Sequence, residues 1–520
     1  MATSAVAGFY GGRSVLITGA SGFLGKVLVE KLLRSVPDVQ RLFLLIRPQN
    51  GLDPKQRLER LLKSKLFDKI RADFPERLGK LVAVGGNCME EGLALSPHDS
   101  DTLTREVSVV FHCAATVKFD EALGISVEMN VLGTRRLVQL CQRMSNLVAF
   151  VHASTAFANC DRPHILEAVY PPPVQPQKLI DALEWMSEDM VKDVTPHLVG
   201  RRPNTYTLTK ALAEYLLVEE CGQLPVVIVR PSIIGSAWRE PIPGWVDNLN
   251  GPTGIFTAVG KGLLRSMVGR WDKRVDLVPV DAVSNLMIAA AWQRANTSRS
   301  DQIPVINMCM GRLNPVNWQR VVDIMVTSFK RNPLEGVFRP PSGVLTVHKL
   351  SNDVKTFLDH LLPAYCVDFV CRLLGKKARM VRMHTKIQKA VESLTYFTSN
   401  QWDFQTQNML ALWAEMSEED RRAFHFDLRQ LHWEHYLDMY ILGIKRFVLH
   451  EDVRDLPKAR KQLSRVQVWT TVLHVAAMAV AIRVLIRRSS LVRRLWYQLM
   501  RLALLLYRML KAPLQLLAIK

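Results

Sequence analysis

"SVLITGASGFLGKVLVEKLL", Ser14 to Leu33, opens with a short apolar strand, Val15 to Ile17, turns on three glycines and runs into an amphipathic helix from about Phe23. Gly19, Gly22 and Gly25 are spaced GxxGxxG, with Ser21, Phe23 and Leu24 among them. A turn without side chains lets a pyrophosphate approach the backbone, and the helix N-terminus that follows favours the anion. Three glycines in a loop say little by themselves. Between the first strand and first helix of an alternating chain they read as a dinucleotide-binding turn.

The chain does alternate. "RLFLLIR" (41–47), "LVAVGGN" (81–87), "VSVVFHCAAT" (107–116), "LVAFVHAST" (147–155) and "PVVIVRPS" (225–232) are β-rich runs bounded by turn residues and mostly separated by helical stretches. That pattern predicts an α/β fold, a doubly wound parallel sheet of Rossmann type with helices on both faces. Ligands on such sheets bind at the carboxyl ends of the strands. Chemistry-bearing residues are therefore sought just after each strand.

After the second strand stands Arg47, where an NAD-binding protein usually carries an acid. A guanidinium there suits a 2′-phosphate and points to NADPH. Asn87 follows the third strand at a place where adenine can be read. Ala114 and Ala115 follow the fourth and leave room for the nicotinamide ribose. Ser154 and Thr155 follow the fifth, and a hydroxyl there can bond a substrate carbonyl.

Tyr206 and Lys210 lie four residues apart in "PNTYTLTKALAEYLL" (203–217), so both leave one helix face. The spacing alone decides nothing, since Tyr507 and Lys511 repeat it in the basic tail. Following a nucleotide loop and a Ser-Thr strand end, Tyr206 and Lys210 form a candidate acid and its partner. A lysine charge favours phenolate and lowers a tyrosine pKa. The phenol can then protonate a carbonyl oxygen as hydride arrives.

With these residues in place the chain resembles the extended short-chain dehydrogenase/reductases, and more narrowly the fatty acyl-CoA reductases, which make primary alcohols from acyl-CoA. The resemblance spans roughly residues 10 to 450. It is carried by "VLITGASGFLGKVLVEKLLRS", "FHCAATVKFDEAL", "NVLGTRRLVQLC", "FVHASTAFANC", "PNTYTLTKALAE", "VIVRPSIIGSAWREPIPGWVDNLNGPTG" and "VDLVPVDAVSN", with "LPAYCVDFVCRLLGKKARM" and "WDFQTQNMLALWAEMS" similar to the family's C-terminal domain. It implies Tyr206 as general acid, Lys210 as its partner, and Thr155 or Ser154 as the hydroxyl that positions the carbonyl. It also implies NADPH as cofactor, fatty acyl-CoA as substrate, and two hydride transfers through an aldehyde. Two departures stand out: Asn87 where an Asp is expected, and Phe157 where a Tyr is common.

The long step from Thr155 to Tyr206 holds "YPPPVQP" and "KLIDALEWMSEDMVKDV", read as a substrate-side cover or a plain surface excursion. From about Leu345 the strand pattern gives way to helical spacing, rich in aromatics that are expected in a core. The expected organisation is a reductase domain over 10–340, a smaller helical domain over 345–450 and an anchoring tail over 465–520.

An apolar content of 48% and a charged content of 22% exclude a disordered chain. The net charge of +20 is concentrated after Val453, where 14 Lys and Arg face a single acid, Asp455. Nucleic-acid binding along the chain is not indicated. The eight cysteines form no CxxC or zinc-ligand spacing, and no metal is expected. They read as reduced thiols of a cytosol-facing protein, and the N-terminus shows no secretory pattern.

Val468 to Ile486, "VWTTVLHVAAMAVAIRVLI", is just long enough to span a hydrocarbon core. Its single charge, Arg483, lies near one end and can snorkel. Leu502 to Leu510 is shorter and broken by Arg508, an interfacial helix or a return arm. An endoplasmic reticulum or peroxisome membrane, with the catalytic domain in the cytosol, is the expected location. Competing readings are a related membrane oxidoreductase or epimerase on a sterol or sugar nucleotide, and a non-catalytic membrane scaffold. Oligomeric state is not legible.

Overall fold

The computed structural model describes residues 4–298 and 302–517, with 507–517 given by backbone alone. Seven strands form one parallel sheet: β1 Ser14–Thr18, β2 Arg41–Ile46, β3 Leu81–Gly85, β4 Val107–His112, β5 Ala149–Ala153, β6 Val226–Pro231 and β7 Val305–Met308. Their order is β7-β6-β5-β4-β1-β2-β3. β1 pairs with β2 on one side (Thr18 opposite Leu45) and with β4 on the other (Thr18 opposite His112). The strand order reverses between β1 and β4, which opens a ligand crevice at their carboxyl ends. Six strands fall within the apolar runs of the sequence. β7, only four residues long, lies outside them.

The sheet is covered on both faces, and side-chain alternation along β1 shows how. Val15 and Ile17 join one core cluster with α1 (Phe23–Ser35), while Leu16 joins another with α2 (Gly133–Gln142). Helices α3 (Pro176–Trp185) and α4 (Glu188–Val199) fill the step before α5 (Thr205–Glu220). Leu179, Ile180 and Val199 pack with Leu208, Leu212 and Leu216 on the outside of α5. This excursion therefore braces the helix that carries Tyr206 through its outer face. α6 (Val280–Asn296) backs the sheet on the α1 side.

After Leu345 come α7 (Lys349–Thr356), α8 (Leu362–Leu373), α9 (Met380–Ser399) and α10 (Trp433–Gly443). Part of this region shares the sheet's own core. Phe424, Phe426, Tyr436 and Tyr440 are buried in the cluster that holds Val15 and Ile17. Tyr436 donates to the Ser236 carbonyl at 3.0 Å. At Gly244 (φ +78°) a Cβ would lie 2.1 Å from the Met439 carbonyl oxygen, so only glycine permits this backbone contact.

Beyond the body, α11 (Leu456–Arg488) is followed by α12 (Ser490–Leu517). Within 453–488 an 18-residue window reaches a mean hydropathy of 1.8 with none of it buried, long and apolar enough to cross a bilayer by length and composition. The first turns of α11 still belong to the body: Ala459 and Leu463 are buried, and Arg460 donates to the Arg331 carbonyl. The end of the expected tail, 518–520, lies outside the described residues, as do the side chains of the 507–510 part of the Leu502–Leu510 stretch and of Tyr507 and Lys511.

Candidate active site

The glycine turn is built by backbone crowding. Gly19 has φ +70°, and a Cβ there would lie 2.7 Å from the Ala114 nitrogen. At Gly25 a Cβ would lie 2.2 Å from the Gly19 carbonyl oxygen. The first turn of α1 is thereby drawn against the β1 and β4 loops. Gly22 caps α1 without a side-chain hydrogen bond, and no acid lies in the first turn. The helix N–H groups are left for an anion.

A cleft of about 360 Å³ runs along these loops. Gly19, Ser21, Gly22, Arg47, Asn87, Ala114 and Ala115 all line it. Phe23 and Leu24 do not: Phe23 stacks on Trp245 at 5.6 Å, and both pack against the core beneath. Asn87 Oδ1 accepts from the Met89 nitrogen at 3.2 Å.

Arg57, which the sequence does not single out, joins Arg47 in the same cleft and donates to the Arg47 carbonyl. Burial and the Arg47 charge both lower the Arg57 pKa. Two neighbouring guanidiniums that repel each other form a place for a doubly charged anion. These features fit a bound nicotinamide dinucleotide.

The candidate catalytic side chains are brought together where β5 meets α5. Asn204 caps α5, accepting from the Thr207 nitrogen at 3.0 Å, which sets Tyr206 on the first turn. Lys210, one turn on, is 2% exposed and donates from Nζ to the Ala153 carbonyl at 2.8 Å. Thr155, two residues beyond Ala153, is buried; its hydroxyl accepts from the Phe157 nitrogen at 3.3 Å and lies near enough to the Tyr206 phenol to lower its pKa. Asn130 ties the loop after β4 to the same helix, accepting from the Thr116 nitrogen and donating to Thr209 Oγ1, each at 2.9 Å.

Ser154 is engaged elsewhere. It donates to Glu214, whose carboxylate pairs with Arg230 at 2.6 Å, both side chains being almost wholly buried. Arg230 also donates to the Leu166 and Ala168 carbonyls. Of the two candidate hydroxyls, Thr155 faces Tyr206 while Ser154 belongs to this buried ion pair. Glu214 lies 60 residues from Ser154, with no local pattern to announce the contact.

The electrostatics differ from the expectation that Lys210 lowers Tyr206. Burial pushes the half-buried Tyr206 phenol up to about 12, opposed only by the Thr155 hydrogen bond. Burial lowers Lys210 to about 8, with Cys113 and Glu214 opposing. The phenol is therefore held protonated, as a proton donor must be, and the adjacent cation is the group that titrates near neutrality.

An aromatic wall stands beside Tyr206. Phe119 lies 5.9 Å from its ring and 5.6 Å from Phe397 of α9. Phe157 packs edge-on against Phe397, Trp402 and Phe404. The C-terminal region thus reaches Tyr206 with apolar surface. Among the described residues no cluster of three metal-ligating side chains occurs.

A family model described as male sterility protein, for an NAD-binding domain, matches residues 17–287, and a second with the same description matches 359–451. Fatty acyl-CoA reductase 1 of Homo sapiens is 45% identical over 489 residues, covering 94% of this chain and 95% of that protein. Fatty acyl-CoA reductase 2 of Bos taurus is 41% identical over 494 residues, covering 95% and 96%. Among solved structures, the terminal R domain from the myxalamid PKS-NRPS biosynthetic pathway superposes with a TM-score of 0.54 at 17% identity, covering 84% of this chain and 90% of that one. The reductase domain of a nonribosomal peptide synthetase from Mycobacterium tuberculosis gives 0.54 at 19% identity, covering 83% and 91%. At these identities the two structures speak to fold.

Proposed function

The chain belongs to the fatty acyl-CoA reductase family, and from that premise we propose that it reduces long-chain fatty acyl-CoA to the primary alcohol with NADPH. The observation that carries the reading is the convergence of Thr155, Tyr206 and Lys210 on the carboxyl end of β5, on the same sheet edge as the glycine cradle. NADPH rather than NADH is supported by Arg47 and Arg57 in one cleft.

A nicotinamide, when bound, supplies hydride; one transfer with loss of CoA takes a thioester to the aldehyde, and a second gives the alcohol. The protein's part is to orient the carbonyl and to move protons. Thr155 holds the carbonyl oxygen by its hydroxyl. Tyr206 donates the proton that the oxygen takes up as its negative charge develops. Lys210, positioned by the Ala153 carbonyl, favours that transfer by stabilising the phenolate left behind. The apolar wall of Phe119 and Phe397 excludes water from the acyl side.

We assign the reductase domain to 10–340, the helical domain that completes it to 345–450, and a membrane anchor to 465–520. The anchor is supported by the exposed apolar helix α11. An endoplasmic reticulum or peroxisome membrane with the catalytic body in the cytosol fits eight free cysteines. Lipid analysis of cells that express the full chain and are fed acyl chains tests the activity. New fatty alcohol is expected, and none from a folded protein would end this reading.

A further inference from the structure

The segment from Lys349 to Leu373 is continuous helix, α7 and α8 joined by a π turn at Phe357–Leu361. Its amphipathic faces are reversed relative to those of an ordinary surface helix. The buried stripe is Asn352, Thr356, His360, Ala364 and Asp368, spaced four apart. Four of the five are polar, and each makes at least one hydrogen bond, though His360 Nδ1 has no partner among the described residues. Asn352 accepts from Ser266 at 2.6 Å, Thr356 takes a bond from Asn352, His360 accepts from the Arg265 nitrogen at 2.9 Å, and Asp368 caps α9.

The outward face is mostly apolar, with the exposed Ser351 and Asp353 near its N-terminal end. Leu350 is 77% exposed, Phe369 63% and Leu373 71%, and Val354, Phe357 and Leu358 lie exposed with them. A helix in water turns its apolar side inward. One that turns its polar stripe onto the protein and shows leucine and phenylalanine outward is arranged for an apolar medium.

Two further observations name that medium. From Lys349 to Arg382 the sequence holds seven Lys or Arg against three Asp, and one of those three is the buried Asp368. Lys376, Lys377, Arg379 and Arg382 follow directly on the end of α8, and Lys376, Lys377 and Arg379 are exposed. Basic residues at the edge of an apolar helical face suit an anionic lipid surface.

The helix also lies near the body-packed start of α11, just before the anchor. Gly336 bonds to Gln462 at the start of α11, and Arg339 bonds to the Asp359 carbonyl within the reversed helix. Three residues of chain span at most about 11 Å, so the two elements flank one short loop.

We propose that the outward face of residues 349–373 lies in the interfacial layer of the membrane, as a second contact beside the α11 anchor, with the 376–382 cations on anionic headgroups. The site is a lipid-binding surface separate from the reductase cleft. It takes phospholipid acyl chains and phosphate, and it sets the orientation of the body on the bilayer.

The test uses the full chain in vesicles of phosphatidylcholine and phosphatidylserine. Cys366 is exposed on this face, so an environment-sensitive fluorophore is placed on it in a chain carrying Cys113→Ser and Cys371→Ser. Flotation reports the anchor separately. The expected result is that a nitroxide-bearing lipid removes more than half of the emission, aqueous iodide removes little, and L358D/F369D reverses the two. Quenching by iodide but not by the lipid in floating protein would overturn the proposal and leave the anchor standing. Protection from both quenchers would also overturn it, in favour of a protein partner or a second copy on this face. A chain that does not float loses the anchor and this contact together.

Discussion

Arg57→Ala should weaken NADPH and leave NADH nearly unchanged. Arg57 is half-buried, sits beside the exposed Arg47 and has its pKa lowered first by burial and then by that neighbour. An incoming phosphate relieves this repulsion and gains hydrogen bonds to both groups. A hydrogen bond to a charged partner contributes about 1.5–3 kcal/mol, and the half-exposed setting argues for the lower end. Loss of about 1.5 kcal/mol raises Kd about tenfold. Arg47, exposed and screened, is expected to contribute about 1 kcal/mol. The double variant should fall short of the sum, because removing one cation relieves the other. Titration calorimetry with NADPH and NADH measures this directly, and Arg57→Lys should keep part of the preference. If both cofactors weaken equally, or the unmodified protein binds them equally, the two arginines do not read the 2′-phosphate.

Three further outcomes follow from the same geometry. Glu214→Gln should cost about 3–5 kcal/mol, read as a lowered Tm, because it leaves the wholly buried Arg230 charge without its carboxylate; a change within experimental error would show the pair to be dispensable. The basic limb of kcat/KM should lie near pH 8, where Lys210 loses its proton, and not near 12, where Tyr206 does. Since the folded pKa of Lys210 is depressed, its charged form costs stability below about 8, and that cost is relieved as pH rises through 8 towards the unfolded value, so stability should rise where activity falls. Removal of everything after Ser464 should release the protein from membranes with its fold intact, whereas a cut at Asp455 also strips the buried Ala459 and Leu463 and should lower Tm; persistence of the 464 form on carbonate-washed membranes would show that α11 is not the main anchor.

The sheet was legible because its strands are short runs of branched apolar residues separated by amphipathic helices. Val15, Leu16 and Ile17 are all buried, on alternating faces, as such a run requires. Arg47, Tyr206 and Lys210 were legible because they stand at strand ends or at helical spacing. Arg57 was not, since an arginine ten residues further on in a polar helix looks like any solvated cation. Nor was the engagement of Ser154, whose partner comes from the middle of α5. The net lowering of the Tyr206 pKa expected from Lys210 assumed water-like surroundings; desolvation by burial is a separate and larger effect, and it raises the phenol. The apolar spacing of 349–373 announced a helix but not which side faces outward, because that depends on polar partners such as Ser266 and the Arg265 backbone, far away in the chain.

The central claim is that Tyr206 supplies the proton for acyl reduction. Its most direct test is the purified full chain in vesicles, given acyl-CoA and NADPH, with alcohol, free CoA and NADPH consumption counted together. The thioester-to-alcohol change takes two hydrides, so two NADPH should be used for each alcohol and each CoA released. Tyr206→Phe should lower the rate by about 10²–10⁴ while NADPH binds with unchanged Kd. Near-normal turnover in that variant, or NADPH oxidation without alcohol in the unmodified protein, would contradict the account.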